Sequence, residues 1–77
     1  ALINAHVPNH KKHSYMEYPR IAKAIKALEE KFAGEGRVLI RPSGTEPLVR
    51  VMIEGKDQKV IEKEARDLAD LIMEVMI

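Results

Sequence analysis

Two arginines, two hydroxyl residues and a glycine fall within one short stretch, as Arg41, Ser43, Gly44, Thr45 and Arg50. These residue types in this order suit the binding of an oxyanion such as phosphate. A guanidinium is a planar fork that engages two phosphate oxygens at once. Ser43 and Thr45 add hydroxyl donors. Gly44 has no side chain, so backbone N–H groups can close on an anion from that side. Pro42 and Pro47 restrict the chain at both ends and lower the entropy lost when the loop orders around a ligand. Composition by itself favours a blander reading, a polar turn between strands with two solvated arginines.

The elements around this stretch must present the arginines together. Arg37–Ile53 reads as a strand, a tight polar loop and a second strand. Pairing Arg41 with Leu48, and Leu39 with Arg50, is the expected register. Side chains alternate faces along a strand. Val38, Ile40, Val49, Val51 and Ile53 then share the core face, and Leu39, Arg41, Leu48, Arg50 and Met52 share the other. The two arginines project on the same side, diagonal to each other. Leu39, Leu48 and Met52 are expected to be partly exposed beside them, where a neighbouring domain could cover them.

Upstream, Leu2–Val7 alternates as a strand with Ile3, Ala5 and Val7 on one side. The polar, proline-containing run from Pro8 to Ser14 reads as a loop. Pro19 suits a first helical turn. Ile21, Ile25, Leu28 and Phe32 fall on one helical face, and Gly34 and Gly36 end that helix. After the hairpin, Asp57 caps a second helix. Its stripe is Val60, Ile61, Ala65, Leu68, Leu71, Ile72 and Val75, and it is expected to run to the end of the chain. The order strand, helix, strand, strand, helix predicts a two-layer α+β domain, β-α-β-β-α, with two helices on one face of an antiparallel sheet. A right-handed crossover leaves a gap that the third strand fills, so the expected strand order is 1-3-2 with Leu48–Glu54 in the centre.

Composition narrows the function classes. The 77 residues make one small domain, which buries only ~60% of its unfolded surface. There is no cysteine, which removes disulfides and thiolate metal sites. A net charge of +1 gives no bulk attraction to nucleic acid or acidic membrane. No apolar run approaches the ~18 residues of a membrane-spanning helix. The start Ala1-Leu2-Ile3-Asn4 has neither an initiator Met nor a signal-peptide pattern, which fits a fragment of a larger chain and makes cytoplasmic localisation the default expectation. His6, His10 and His13 fall short of the four ligands of a structural zinc site, and a solvated loop is expected instead. Met16, Met52, Met73 and Met76 read as packing residues. A nucleic-acid-binding sheet places aromatic residues on its strands to stack bases. Here the aromatic residues are Tyr15, Tyr18 and Phe32, none in an expected strand.

The run Arg41-Pro42-Ser43-Gly44-Thr45-Glu46-Pro47-Leu48-Val49-Arg50 closely resembles the phosphate-binding loop of the α-D-phosphohexomutases, and within them that of the phosphoglucosamine mutases. Gly36-Arg37-Val38-Leu39 and the long amphipathic helix after Asp57 fit the same family, so the resemblance covers most of the chain; His10–Tyr18 is its least characteristic part. The resemblance implies that residues 1–77 are a single C-terminal domain of a larger phosphohexomutase, with a TATA-binding-protein-like fold. It implies that Arg41, Ser43, Gly44, Thr45 and Arg50 hold the non-transferred phosphate of a phosphosugar, and that Glu46 bears on amino-sugar preference. The implied reaction interconverts glucosamine 6-phosphate and glucosamine 1-phosphate. It needs a phosphoserine and a bound Mg²⁺, both from preceding domains; no catalytic residue and no metal ligand is expected in this chain. A phosphomannomutase or phosphoglucomutase C-terminal domain, a nucleic-acid-binding α+β module and an interaction domain without ligand are the competing readings.

Overall fold

The computed structural model describes residues 1–76. In order along the chain are β1 (Leu2–His6), a 3-10 helix (Lys12–Glu17), α1 (Pro19–Lys31), β2 (Arg37–Pro42), β3 (Leu48–Glu54) and α2 (Gln58–Val75). The three strands form one antiparallel sheet in the order β1-β3-β2. β3 is therefore the centre, as the crossover argument requires. Both helices pack on the face that carries Ala5, Val49, Val51 and Ile53, each fully buried. Burying side chains of this size contributes roughly 1.5–3 kcal/mol apiece for the larger ones.

The helices form for local reasons. Tyr18 is extended and Pro19 opens α1, where a missing N–H costs nothing. Ile21, Ile25, Leu28 and, just past the last turn, Phe32 are the buried stripe. Asp57 caps α2: its carboxylate accepts from the Lys59 and Val60 N–H groups at 3.1 and 3.3 Å. Ile61, Ala65, Leu68, Ala69 and Ile72 are the buried side of α2. The helix stops at Val75 with Met76 as its C-cap, short of the chain end, and Ile77 lies outside the described residues.

Three expectations are corrected. The hairpin register is displaced by two residues: Arg41 pairs with Arg50, and Leu39 with Met52. A shift of two preserves every face, so the core set stands while the arginines sit opposite each other rather than diagonally. Leu48 is buried, at 2% exposure, rather than exposed on the arginine face. It lies at a corner where Ser43 and Lys12 are also buried and where Val7 N–H donates to the Pro47 carbonyl at 3.0 Å. Finally, the run expected to be loop contains the start of the 3-10 helix, whose Tyr15 hydroxyl donates to the Ile40 carbonyl at 3.1 Å and ties the segment to β2.

Gly36 is a fixed point of this architecture. A Cβ there would strike the Glu54 carbonyl oxygen of the paired strand end. Gly36→Ala should therefore destabilise the domain by about 1–3 kcal/mol, read as a lower urea midpoint with an unchanged slope. An unchanged midpoint would show that the β2–β3 end relaxes freely.

Candidate functional site

Arg41 ends β2 and Arg50 lies in central β3, and the core-facing Ile40, Val49 and Val51 fix which way both point. Both side chains are exposed. On β1, Asn4 pairs with Arg50, so one row across the open face reads Asn4, Arg50, Arg41. The next row away from the loop is Leu2, Met52, Leu39, with Leu2 and Leu39 exposed. Asn4 was not singled out from the sequence; only its cross-strand partner reveals it.

Like charges directly opposite on paired strands are destabilising. The same hairpin shows the ordinary solution at its other end, where Arg37 pairs with Glu54 and their charged groups approach to 3.4 Å. Beside the loop it does the reverse. Among the described residues neither Arg41 nor Arg50 has a carboxylate within ion-pair distance. Glu46, exposed in the loop, pairs with neither.

The loop is built around the Ser43 side chain. Ser43 N–H continues the ladder to the Leu48 carbonyl at 2.9 Å. Its Oγ accepts from the Glu46 N–H at 3.1 Å and from the Thr45 N–H at 3.4 Å, a side-chain turn typical of serine. Leu48 N–H donates to the Glu46 carbonyl at 2.8 Å, a tight turn that the fixed φ of the intervening Pro47 favours. Ser43 is thus buried and largely internal, which the sequence could not show. Because Oγ accepts both bonds, its own proton remains available to donate.

Gly44, Thr45 and Glu46 stand at the exposed tip. Gly44 does not have a positive φ, and a Cβ placed there would meet nothing within 4 Å. Neither backbone nor packing requires a glycine at this position. An open depression of about 280 Å³ is lined by Arg41, Pro42, Ser43, Gly44, Thr45 and Arg50. The structure therefore brings all five sequence-expected residues to one place, while Glu46 is exposed in the same loop but does not line the depression. His6, His10 and His13 make no metal cluster: among the described residues no group of three His, Cys, Asp or Glu is placed to hold an ion.

The family model of the phosphoglucomutase/phosphomannomutase C-terminal domain matches residues 2–71, and the chain belongs to that family. Among curated relatives, it is 61% identical over 71 residues to a phosphoglucosamine mutase of Ruminiclostridium cellulolyticum and 62% identical over 71 residues to one of Caldicellulosiruptor saccharolyticus. It is also 56% identical over 73 residues to the phosphoglucosamine mutase of Clostridioides difficile. These matches cover 92–95% of this chain and 16% of each relative, so the chain spans about one sixth of their length.

Two substitutions separate loop architecture from loop exposure. Ser43→Ala removes the acceptor of two N–H groups and should cost about 1–2 kcal/mol. Gly44→Ala should leave stability within about 0.5 kcal/mol of the parent, as at an unconstrained surface position. Chemical denaturation of both checks this. Equal losses in the two variants would show that the tip glycine is structural after all.

Proposed function

We propose that this chain is the C-terminal, substrate-anchoring domain of a longer phosphoglucosamine mutase, with residues 1–77 forming the single module. In that role Arg41, Ser43, Gly44, Thr45 and Arg50 hold the non-reacting phosphate of the sugar, while the other end of the substrate exchanges its phosphoryl group elsewhere. The supporting observation is the Arg41–Arg50 pair: two like charges held opposite, with no carboxylate compensation, at the edge of an open pocket. A phosphate dianion bridging both guanidinium groups turns a cross-strand repulsion into two charge-assisted interactions. The unhindered Gly44 side of the loop leaves room for the anion to reach backbone N–H groups. Fixing the distal phosphate orients the sugar, and orientation is a large catalytic contribution when the remaining machinery is in place.

The interconversion of glucosamine 6-phosphate and glucosamine 1-phosphate is the reaction we assign to the intact enzyme. The names of the relatives, and the Glu46 of the loop motif, favour the amino sugar over a phosphomannomutase or phosphoglucomutase substrate. Glu46 is an exposed carboxylate without an ion-pair partner among the described residues, and we assign it a part in sugar selectivity. Among the described residues no group of three His, Cys, Asp or Glu is placed to hold a metal ion, and we assign the Mg²⁺ ligands to preceding domains, as the family resemblance implies. Those domains are the expected protein partners, and the exposed Leu2 and Leu39 suit contact with them. The sheet face offers no aromatic residue to a nucleic acid, and among the described residues no helix is long and apolar enough to cross a membrane. The cytoplasm is the compartment we assign.

Phosphate titration of isotopically labelled protein tests the anchoring role. The Gly44 and Thr45 amides should shift, with an affinity on the order of millimolar because one anchoring point must offset the entropy of association. Arg41→Gln and Arg50→Gln should each remove the response and leave the fold intact, since both side chains leave the core face. Arg50→Lys keeps the charge without the fork and should bind more weakly than the parent. Shifts confined to the helices, with a silent loop, would overturn the assignment.

Without anion, each arginine-to-glutamine variant should gain up to a few tenths of a kcal/mol from the lost repulsion, roughly the scale of one cross-strand pair. Added phosphate should raise the melting temperature of the parent alone, because a ligand that binds only the folded state stabilises it by mass action. Differential scanning calorimetry with and without phosphate reads both effects. A parent Tm indifferent to phosphate well above its measured Kd would contradict the binding reading.

A further inference from the structure

Lys12 lies thirty-four positions from Glu46 in sequence and yet is one of two buried polar or charged residues among those described, the other being Ser43. The residue is 4% exposed. Its Nζ donates to the Glu46 carbonyl at 3.1 Å. No carboxylate among the described residues lies within ion-pair distance of it. Burying a lysine without a counter-charge is costly, and lysines at a surface position cost nothing of the kind. Simple solvation of a loop does not explain this placement.

The effect of the contact is confined to the anion loop. The Glu46 backbone is held on both sides of its Cα: its N–H by Ser43 Oγ, its carbonyl by Lys12 Nζ and by the Leu48 N–H. Pro47, the next residue, is held through its carbonyl by Val7 N–H. The second half of the loop is therefore clamped to the segment after β1, while Gly44 and Thr45 stay open at the tip. Clamping one half keeps the free donors in a single arrangement before a ligand arrives, which lowers the ordering cost of binding.

We propose that Lys12 is a positioning residue for the phosphate loop: its ammonium fixes the Glu46 carbonyl, and through it the conformation in which the tip receives an anion. This deepens the anchoring role proposed above and rests on it for the identity of the anion, but the brace itself is a property of the ligand-free chain. Lys12 does not lie among the residues lining the pocket, so its action is through Glu46 rather than by contact with phosphate.

The test compares the parent with Lys12→Met and Lys12→Arg. Methionine matches the length and burial of the lysine stem and removes the donor; arginine restores one. Three quantities are measured: the thermal midpoint, the hydrogen-exchange rate of the Leu48 amide without anion, and the Kd for inorganic phosphate from the Gly44 and Thr45 shifts. Lys12→Met should retain cooperative unfolding, exchange the Leu48 amide faster, and bind phosphate about three- to tenfold more weakly, the latter about 1.4 kcal/mol at its upper end. Lys12→Arg should recover most of the affinity. A Lys12→Met protein with the parent's Leu48 exchange and the parent's Kd overturns the proposal. So does faster exchange with an unchanged Kd, which reduces the contact to architecture.

If the parent itself binds no phosphate, the anchoring role fails, and the Leu48 exchange comparison still decides whether Lys12 orders the loop. If Lys12→Met does not fold, the parent decides by itself. Its Lys12 ammonium protons should exchange slowly enough to be observed by nitrogen-detected NMR and should slow further with phosphate. Ammonium exchange as fast as that of the exposed lysines, with or without phosphate, overturns the brace.

Discussion

Everything at the open face of this domain depends on the burial of the opposite one. Val49, Val51 and Ile53 on the central strand are sealed under two helices, and a side-chain period of two leaves Arg50 and Met52 no choice of direction. A slip of β3 by one residue would bury Arg50 and turn Val49, Val51 and Ile53 out of the core, at roughly 1.5–3 kcal/mol for each side chain lost. The hydrophobic layer thus holds two guanidinium groups side by side against their own repulsion. A ligand site made of like charges needs such a scaffold, because nothing local would assemble it.

The hairpin shows how charge was distributed under that constraint. Its open end carries Arg37 against Glu54, an arrangement that favours the free domain. Its loop end carries Arg41 against Arg50 with no carboxylate near, an arrangement that favours an anion-bound one. The loop between them is divided in the same spirit. The half from Glu46 to Leu48 is tied down by Ser43, Lys12 and Val7, whereas Gly44 and Thr45 are exposed at the tip, Thr45 held only by its N–H to Ser43 Oγ. Rigid support beneath exposed donors is what pre-organised recognition requires.

A domain of this size has little stability to spare. Its buried side-chain nitrogen and oxygen atoms nonetheless all have partners among the described residues, and the one buried ammonium among them is committed to the loop. The two glycines that invite comparison, Gly36 and Gly44, differ in kind. Gly36 is required by the close approach of the Glu54 carbonyl, while nothing among the described residues requires Gly44. The first is explained by the fold and the second by what the fold leaves open.

The sequence alone determined the order of elements, the central place of Leu48–Glu54, the core face and the gathering of Arg41, Ser43, Gly44, Thr45 and Arg50 near one loop. These are consequences of periodicity, helix signals and crossover handedness, all of which act over short stretches of chain. It also carried the family likeness, since ten consecutive residues hold the loop pattern. Only the structure decided the register, because the turn is closed by the Ser43 side chain and by a bond from the Leu48 N–H to the Glu46 carbonyl across Pro47. Tertiary structure alone placed Asn4 beside Arg50, buried Leu48 and brought Lys12 under the loop. Each of those depends on contacts between residues more than thirty positions apart, and no local pattern encodes the partner at such a distance.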